Sequence, residues 1–184
     1  LLDITMGLLK PTIGALTVDG ETVTEENYRS WQSHIAHVPQ SIFLSDATIA
    51  ENIAFGVPVE QIDYERVYLA AKQAQIDKTV ESWKLKYETI IGEMGIRLSG
   101  GQRQRIGIAR GLYKKADVII FDEATSALDN ETERAVMRTI EAIGQEITII
   151  IVAHRLTTLM SCDQVVELEN GQIKRVGTYD EIVG

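Results

Sequence analysis

Two runs of apolar, mostly β-branched residues constrain the fold of this chain more than any other feature. They are residues 118–121 (Val-Ile-Ile-Phe) and 147–153 (Ile-Thr-Ile-Ile-Ile-Val-Ala). Runs of this kind are typical of strands that a parallel sheet buries on both faces. Between them, Val136, Ile140 and Ile143 recur at helical spacing. The sequence therefore predicts a strand–helix–strand unit within an α/β fold.

Turn and capping residues predict the remaining elements. Asn130 and Glu133 have the spacing of a capping box at the start of the central helix, and Gly144 ends it. From residue 40 to about residue 113 the strand signals disappear and helical spacings replace them, which predicts a helical insertion. The other predictions are a helix through Leu1, Ile4 and Leu8 that Pro11 ends, strands at 15–20 and 34–38, a hairpin around Asn170-Gly171, and a terminal helix capped by Thr178 and Glu181.

The composition is that of an ordinary globular protein. Of its 184 residues, 45% are hydrophobic and 24% are charged. The single cysteine, Cys162, cannot form an internal disulfide, which suits a reducing compartment. The longest apolar run is far shorter than the roughly 18 to 20 residues of a membrane-spanning helix. The net charge of −9 disfavours nonspecific binding to nucleic acid, whose phosphates carry the same sign.

The sharpest local signal is the run Leu-Ser-Gly-Gly-Gln at residues 98–102. Ser99 and Gln102 have capping-box spacing, and the two glycines between them let a ligand approach the backbone. The helix that begins there presents free N–H groups and the positive end of its dipole, which favour an anion. The pattern is typical of a phosphate-binding loop, although by itself it also fits an ordinary helix start.

Ionisable residues follow both predicted buried strands. Asp122 and Glu123 follow the first strand, and His154 follows the second. Ligands of open α/β sheets bind at the carboxyl ends of the strands. Asp122 is suited to hold Mg²⁺ through its oxygens or through water, and Glu123 to polarise an attacking water. The imidazole of His154 is able to hydrogen-bond a transferring phosphate. Taken singly, an acidic turn and a strand-ending histidine are also ordinary structural features.

The order of these motifs resembles the nucleotide-binding domain of ABC transporters over essentially the whole chain. Residues 98–102 match the family's signature motif, residues 118–122 its Walker B strand and Glu123 its catalytic glutamate. The other matches are Gln40 with the Q-loop, residues 126–129 (Ser-Ala-Leu-Asp) with the D-loop, and His154 with the H-loop.

The resemblance implies a fold and a division of the chain. The fold is that of a RecA-like P-loop NTPase, an α/β fold with a mostly parallel sheet and an inserted α-helical subdomain. Residues 1–40 and 114–184 would form part of the ATPase core, and residues 41–113 the helical subdomain that carries the signature motif.

The resemblance also implies ligands and roles. ATP and Mg²⁺ would bind between two such domains arranged head to tail, where positioning and electrostatics carry phosphoryl transfer to water. Gln40 and Asp122 would bind the metal, Glu123 would act as the general base, and His154 would contact the γ-phosphate. The residues implied to contact nucleotide are Gln40, Ser99, Gly100, Gly101, Gln102 and Asp129, of which Ser99 to Gln102 would serve the ATP of the partner domain.

The sequence departs from the family pattern at its beginning. It contains no G-x-x-x-x-G-K-[ST] motif, and residues 1–9 resemble the helix that follows this motif in the family. They have no basic segment and no initiator Met, unlike a signal peptide. We expect a chain that begins inside a larger protein, without the N-terminal strand and P-loop, and that cannot hydrolyse ATP alone. Smaller departures are Met94, where exporters often have a basic residue, and Ile13, where a small polar residue is usual.

Two segments point to one branch of the family. Residues 41–56 and 154–158 resemble exporters whose ATPase is fused behind membrane-spanning helices. The expected parent couples ATP hydrolysis to export or flipping of a substrate at the cytoplasmic face of a membrane, whereas the isolated chain would be soluble. Its partners would be a second nucleotide-binding domain and a membrane domain fused N-terminally. Exposed members of the group Phe43, Leu44 and Ile49 would contact that membrane domain.

Two alternative functions remain. A soluble ABC-type ATPase of DNA repair or translation is disfavoured by the acidic charge, and by the segment between Gln40 and Leu98, which is too short for a long coiled coil. A noncatalytic regulatory ABC module is disfavoured by the presence of Glu123 and His154.

The other conspicuous residues have ordinary interpretations. His34 and His37 would lie on opposite faces of the predicted strand, so they are not expected to bind one metal together. The arginines near the signature motif are expected to pair with local acids and not with nucleic acid; they are Arg103, Arg105 and Arg110.

Overall fold

The computed structural model describes residues 1–92, 97–125, 127–143, 147–153 and 155–184. Its strands are β1 (Thr17–Val18), β2 (Glu21–Thr22), β3 (Ile35–Val38), β4 (Ala47–Thr48), β5 (Ile90–Ile91), β6 (Val118–Asp122), β7 (Thr148–Val152), β8 (Val165–Glu169) and β9 (Gln172–Gly177). Its helices are α1 (Leu2–Thr5), α2 (Tyr28–Ser33), α3 (Ile49–Ile53), α4 (Tyr64–Gln73), α5 (Asp77–Glu81), α6 (Gly100–Tyr113), α7 (Asn130–Ile143) and α8 (Tyr179–Val183).

Strands β3, β6 and β7 form a parallel sheet in that order. Val38 pairs with Phe121, and Phe121 pairs with Ile151, so the three strands end at the same edge. Helix α7 connects β6 to β7 and buries Val136 and Ile140. The predicted strand–helix–strand unit is thus confirmed. Strand β7 is less buried than its sequence predicts: its residues are half-buried or exposed, whereas most residues of β3, the other outer strand of this sheet in the described part of the chain, are buried.

The helices between the sheet strands pack into the main hydrophobic core. Its fully buried members include Ile53 of α3, Val67 of α4 and Ile106 of α6, and the same core continues to Val38 and Phe121 of the sheet. The helical insertion is confirmed, except that β4 and β5 form an antiparallel pair within it. The sequence did not predict these strands, because two residues are too few to show the period of a strand.

The two ends of the chain carry small antiparallel hairpins. In the turn between β1 and β2, Asp19 and Gly20 have φ values of +49° and +85°. Asn170 and Gly171 have φ values of +49° and +76° between β8 and β9, which confirms the predicted hairpin. None of the helices in the described ranges is long and apolar enough to cross a membrane.

The first and last helices can be compared with two predictions, one on a helix cap and one on a helix length. Thr178 and Glu181 form the predicted capping box at the start of α8. The predicted helix through Leu8 is wrong in length, because α1 ends at Thr5. Gly7 then adopts a left-handed conformation with φ of +66°, and Leu8 is exposed.

Candidate functional site

Two adjacent acidic residues lie at the edge where the parallel strands end. Asp122 is the last residue of β6 and pairs with Val152 of β7. Glu123 follows with φ of +50°, and its N–H donates to the carbonyl of Val152 over 2.9 Å. A glutamate seldom adopts this left-handed conformation, so the surrounding structure must hold it there.

Gln40 reaches the same edge from the neighbouring strand. It lies two residues beyond Val38, the end of β3. Its Nε2 donates to Oε2 of Glu123 over 2.6 Å, although the two residues are 83 positions apart in the sequence. The structure therefore brings Gln40, Asp122 and Glu123 together, and the amide of Gln40 orients the carboxylate of Glu123.

The donor atoms at this edge fit a small, hard cation. Asp122 and Glu123 offer carboxylate oxygens, and Gln40 offers an amide oxygen, because its nitrogen faces Glu123. Mg²⁺ is usually held by one or two carboxylates together with water and phosphate oxygens. The described residues include no group of three or more His, Cys, Asp or Glu that could hold a metal ion. A cation at Asp122 would therefore need water and phosphate to complete its coordination.

The loop before α6 has the predicted cap. The N–H of Gln102 donates to Oγ of Ser99 over 3.2 Å, and the N–H of Ser99 donates to Oε1 of Gln102 over 2.9 Å. A Cβ placed on Gly100 would lie 3.5 Å from Cβ of Ala127, and one on Gly101 would lie 3.2 Å from the carbonyl oxygen of Ala127. The contact of Gly100 would be an ordinary one, so Gly101 is the glycine that lets the start of α6 pack closely against Ala127 of the same chain.

Gln104 ties these two segments together, and sequence reasoning missed it. The side chain of Gln104 is 4% exposed, and its Oε1 accepts a hydrogen bond from the N–H of Ala127 over 2.8 Å. A polar residue four positions before Ile108, on the buried side of α6, was the signal that could have identified it. This hydrogen bond fixes the position of Ala127 relative to the start of α6.

The start of α7 differs from the prediction. Asp129 caps this helix: Oδ1 accepts from the N–H of Thr132 over 2.9 Å, and Oδ2 accepts from the hydroxyl of Thr132 over 2.8 Å. These bonds hold the pKa of the Asp129 carboxyl below its usual range. The predicted capping box of Asn130 and Glu133 is therefore wrong. The side chain of Glu133 is buried and accepts hydrogen bonds from elsewhere in the chain.

Arg110 links α6 to the segment after Gln40. Its Nε donates to the carbonyl of Asn52 over 2.9 Å, and its Nη1 donates to the carbonyl of Phe43 over 3.1 Å. The guanidinium carbon lies 4.5 Å from the centroid of the Phe55 ring. Burial lowers the pKa of Arg110. The prediction that Arg110 pairs with a local acid is wrong, because carbonyls and an aromatic face receive its guanidinium in the described structure.

The two histidines near β3 do not share a strand. His34 is the C-cap residue that follows α2, so the predicted strand at 34–38 is confirmed as β3 except for its first residue. Nδ1 of His34 lies 2.5 Å from Oδ2 of Asp117. Nε2 of His37 lies 4.0 Å from Oδ2 of Asp122.

The predictions on His154, Ser126, Gly144 and Met94 fall outside the described residues.

Comparison with known proteins places this geometry in one family. The family model described as ABC transporter matches residues 1–126. The ATP-dependent lipid A-core flippase of Ralstonia nicotianae is 40% identical over 184 residues, which are 100% of this chain and 31% of that protein. ABC transporter ATM1 of Toxoplasma gondii is 38% identical over 183 residues, 100% of this chain and 16% of that protein.

A solved structure of the same family also matches this chain. A bacterial Atm1-family ABC exporter with ATP bound matches the chain with a TM-score of 0.90 and 33% identity, over 98% of this chain and 31% of that one. The chain thus spans less than a third of the length of these relatives. Its α/β fold is that of a P-loop NTPase with a mostly parallel sheet. From the family match, the exporter relatives and the shared fold, we conclude that the chain belongs to the ABC transporter family, as a nucleotide-binding domain of the exporter type.

Proposed function

We propose that this chain is the ATPase part of an exporter that couples ATP hydrolysis to the export or flipping of a substrate across a membrane. The observation that carries the proposal is the contact of 2.6 Å between Gln40 and Glu123 at the carboxyl edge of the parallel sheet. That edge is where open α/β sheets bind their ligands. The relatives are exporters and lipid flippases, which favours this function over DNA repair, translation or a regulatory role.

The residues at the edge divide the chemistry between them. Glu123 accepts a proton from the attacking water, and the amide of Gln40 holds its carboxylate in the orientation for that transfer. Asp122 would hold Mg²⁺, which supplies charge neutralisation for the phosphates when it is bound. His154, two residues beyond β7, would donate a hydrogen bond to the γ-phosphate. Asp129 would contact nucleotide from the D-loop.

The signature residues act on a second copy of the domain. In a head-to-tail pair, Ser99, Gly100, Gly101 and Gln102 would face the ATP of the partner domain. The capping contacts between Ser99 and Gln102 pre-form this loop, and free N–H groups at the start of a helix favour an anion. We also propose the division into an ATPase core at 1–40 and 114–184 and a helical subdomain at 41–113, working at the cytoplasmic face of the membrane.

The experiment that tests the proposed function is a comparison of MgATP hydrolysis by the full-length protein and by the 184-residue chain. The full-length protein should release phosphate at rates typical of enzymes, on the order of 1 per second or above. The 184-residue chain should show negligible release, because its sequence holds no lysine in a G-x-x-x-x-G-K-[ST] loop to bind the phosphates. A folded full-length protein without ATPase activity would contradict the proposed function.

A second prediction concerns the membrane domain. Phe43 is 70% exposed, whereas Ile49 is fully buried in α3, so Phe43 is the member of the predicted contact group most available to a partner. With the membrane domain and the ATPase domain expressed as separate chains, Phe43→Asp should reduce their co-purification about tenfold or more. The ATPase domain itself should lose little stability, as expected for an exposed position.

The matched control for that experiment is Ile173→Asp. Ile173 is 67% exposed but lies on β9, in the hairpin near the end of the chain. It should leave co-purification within about twofold of the wild type, as for a position outside the contact. If folded Phe43→Asp co-purified as well as the wild type, or if both variants weakened co-purification equally, Phe43 would not be the contact residue.

A further inference from the structure

A buried carboxylate on α7 joins the two segments that leave the carboxyl ends of β6 and β7. Glu133 is 7% exposed. Its Oε1 accepts from the hydroxyls of Thr125 and Thr158 over 3.0 and 3.1 Å, and its Oε2 accepts from Nη1 of Arg155 over 2.7 Å. Thr125 lies in the segment after β6, whereas Arg155 and Thr158 lie in the segment after β7.

This arrangement fixes the two segments relative to each other. A buried carboxylate is costly unless hydrogen bonds compensate it, and here both oxygens of Glu133 have donors. Hydrogen bonds to an ionised group are also stronger than those between neutral groups. Thr125 and Thr158 are 9% and 5% exposed, so water cannot easily replace Glu133 as their partner. A shift of either segment would therefore break bonds that cannot be remade locally.

The segments held by Glu133 carry the residues proposed for hydrolysis. Thr125 is two residues beyond Glu123, and Arg155 directly follows His154 in the sequence. A cavity of about 130 Å³ lies at this end of the sheet, and its walls include Glu123, Thr125, Arg155 and Thr158. Glu133 lies behind this wall, so its influence on the cavity passes through the residues it binds.

We propose that Glu133 is a positioning residue for ATP hydrolysis, which holds the segment that follows Glu123 at a fixed separation from the segment that begins at Arg155. The proposal rests on the proposed ATPase function. Because a displacement of about 1 Å in a catalytic group can cost on the order of 10²-fold in rate, loss of Glu133 should act on kcat. It should leave ATP affinity nearly unchanged, since Glu133 does not line the cavity itself.

The test uses the full-length protein with Glu133→Gln. An amide can still accept from the threonine hydroxyls, but its nitrogen cannot accept from Arg155. We expect kcat to fall about 10- to 100-fold, with KM for ATP within about twofold of the wild type. The matched control is Glu131→Gln, the same chemical change at an exposed position on the same helix, which should leave both constants unchanged.

A double variant distinguishes a positioning role of Glu133 from a role in stability alone. Glu133→Gln combined with Glu123→Gln should lose less activity than the product of the two separate losses, because Glu133 acts partly through Glu123. Glu133→Gln should change the melting temperature by the same amount whether residue 123 is Glu or Gln. If Glu133→Gln does not fold, Thr158→Val removes one donor while keeping the volume, and kcat should still fall about 3- to 10-fold at constant KM.

The outcomes distinguish this inference from the proposed function. A wild-type kcat in folded Glu133→Gln or Thr158→Val, with only a lower melting temperature, would show that Glu133 is structural and would overturn the inference. If the full-length wild type hydrolysed no ATP, the proposed function would fail instead, whereas wild-type turnover with Glu123→Gln would overturn only the role of Glu123 as the base.

Discussion

Glu123→Gln in the full-length protein should lower ATP hydrolysis about 10²- to 10⁴-fold, because the amide cannot accept the proton of the attacking water. The change keeps the size and shape of the side chain, and an amide oxygen can still accept the hydrogen bond from Gln40. ATP binding should therefore persist, and the variant should accumulate as a closed dimer with ATP bound.

The measurement combines phosphate release, equilibrium binding of ATP and crosslinking of the dimer. Glu131→Gln serves as the control, because it removes an exposed carboxylate of the same chain. A variant that hydrolyses ATP at the wild-type rate would show that Glu123 is not the base. A variant that no longer binds ATP would assign Glu123 to binding and not to chemistry.

Ser99→Arg should have the second largest effect, a loss of about 10²- to 10³-fold in ATP hydrolysis by the full-length protein. This is the range found when one donor to a developing charge is removed. The side chain of Ser99 is exposed and caps α6, so an arginine both removes the cap and fills the surface proposed to meet the partner's ATP. Ser99→Thr keeps a hydroxyl in the cap and should retain most of the activity.

A mixing experiment tests whether the loop acts on a partner. Full-length Ser99→Arg, mixed with the 184-residue chain, should regain part of its ATPase activity as the chain is added. The rescued site would combine the variant's ATP with Ser99, Gly100, Gly101 and Gln102 of the added chain. Circular dichroism establishes that the added chain is folded. A folded chain that gives no rescue at any concentration would contradict action on a partner's ATP.

Local patterns in the sequence predicted the parts of the fold that depend on local physics. The apolar runs identified β6 and β7, and the capping boxes at Ser99 and Thr178 formed as predicted. The box at Asn130 failed because Asp129 offers a competing cap, and because Glu133 has buried donors from distant segments. Spacing within the chain carries no information on such distant partners.

The candidate site was predictable in its residues but not in its contacts. Buried strands that end in Asp122 and before His154 indicated the edge where ligands bind, but only the resemblance pointed to Gln40. The contacts of Arg110 and Gln104 could not be predicted, because their partners are main-chain groups of distant residues and every residue type has such groups. The roles of the site residues in hydrolysis stay predictions until the variants are measured.

The left-handed backbone at Glu123 sets stability against activity at one position. A glutamate in this conformation costs on the order of 1 kcal/mol or more, a cost that glycine and, to a lesser degree, asparagine avoid. Selection for thermal stability alone would thus favour glycine or asparagine at position 123, and each of them lacks the carboxylate that we propose as the general base. A glutamate at this position is therefore what selection for turnover, and not for robustness, would retain.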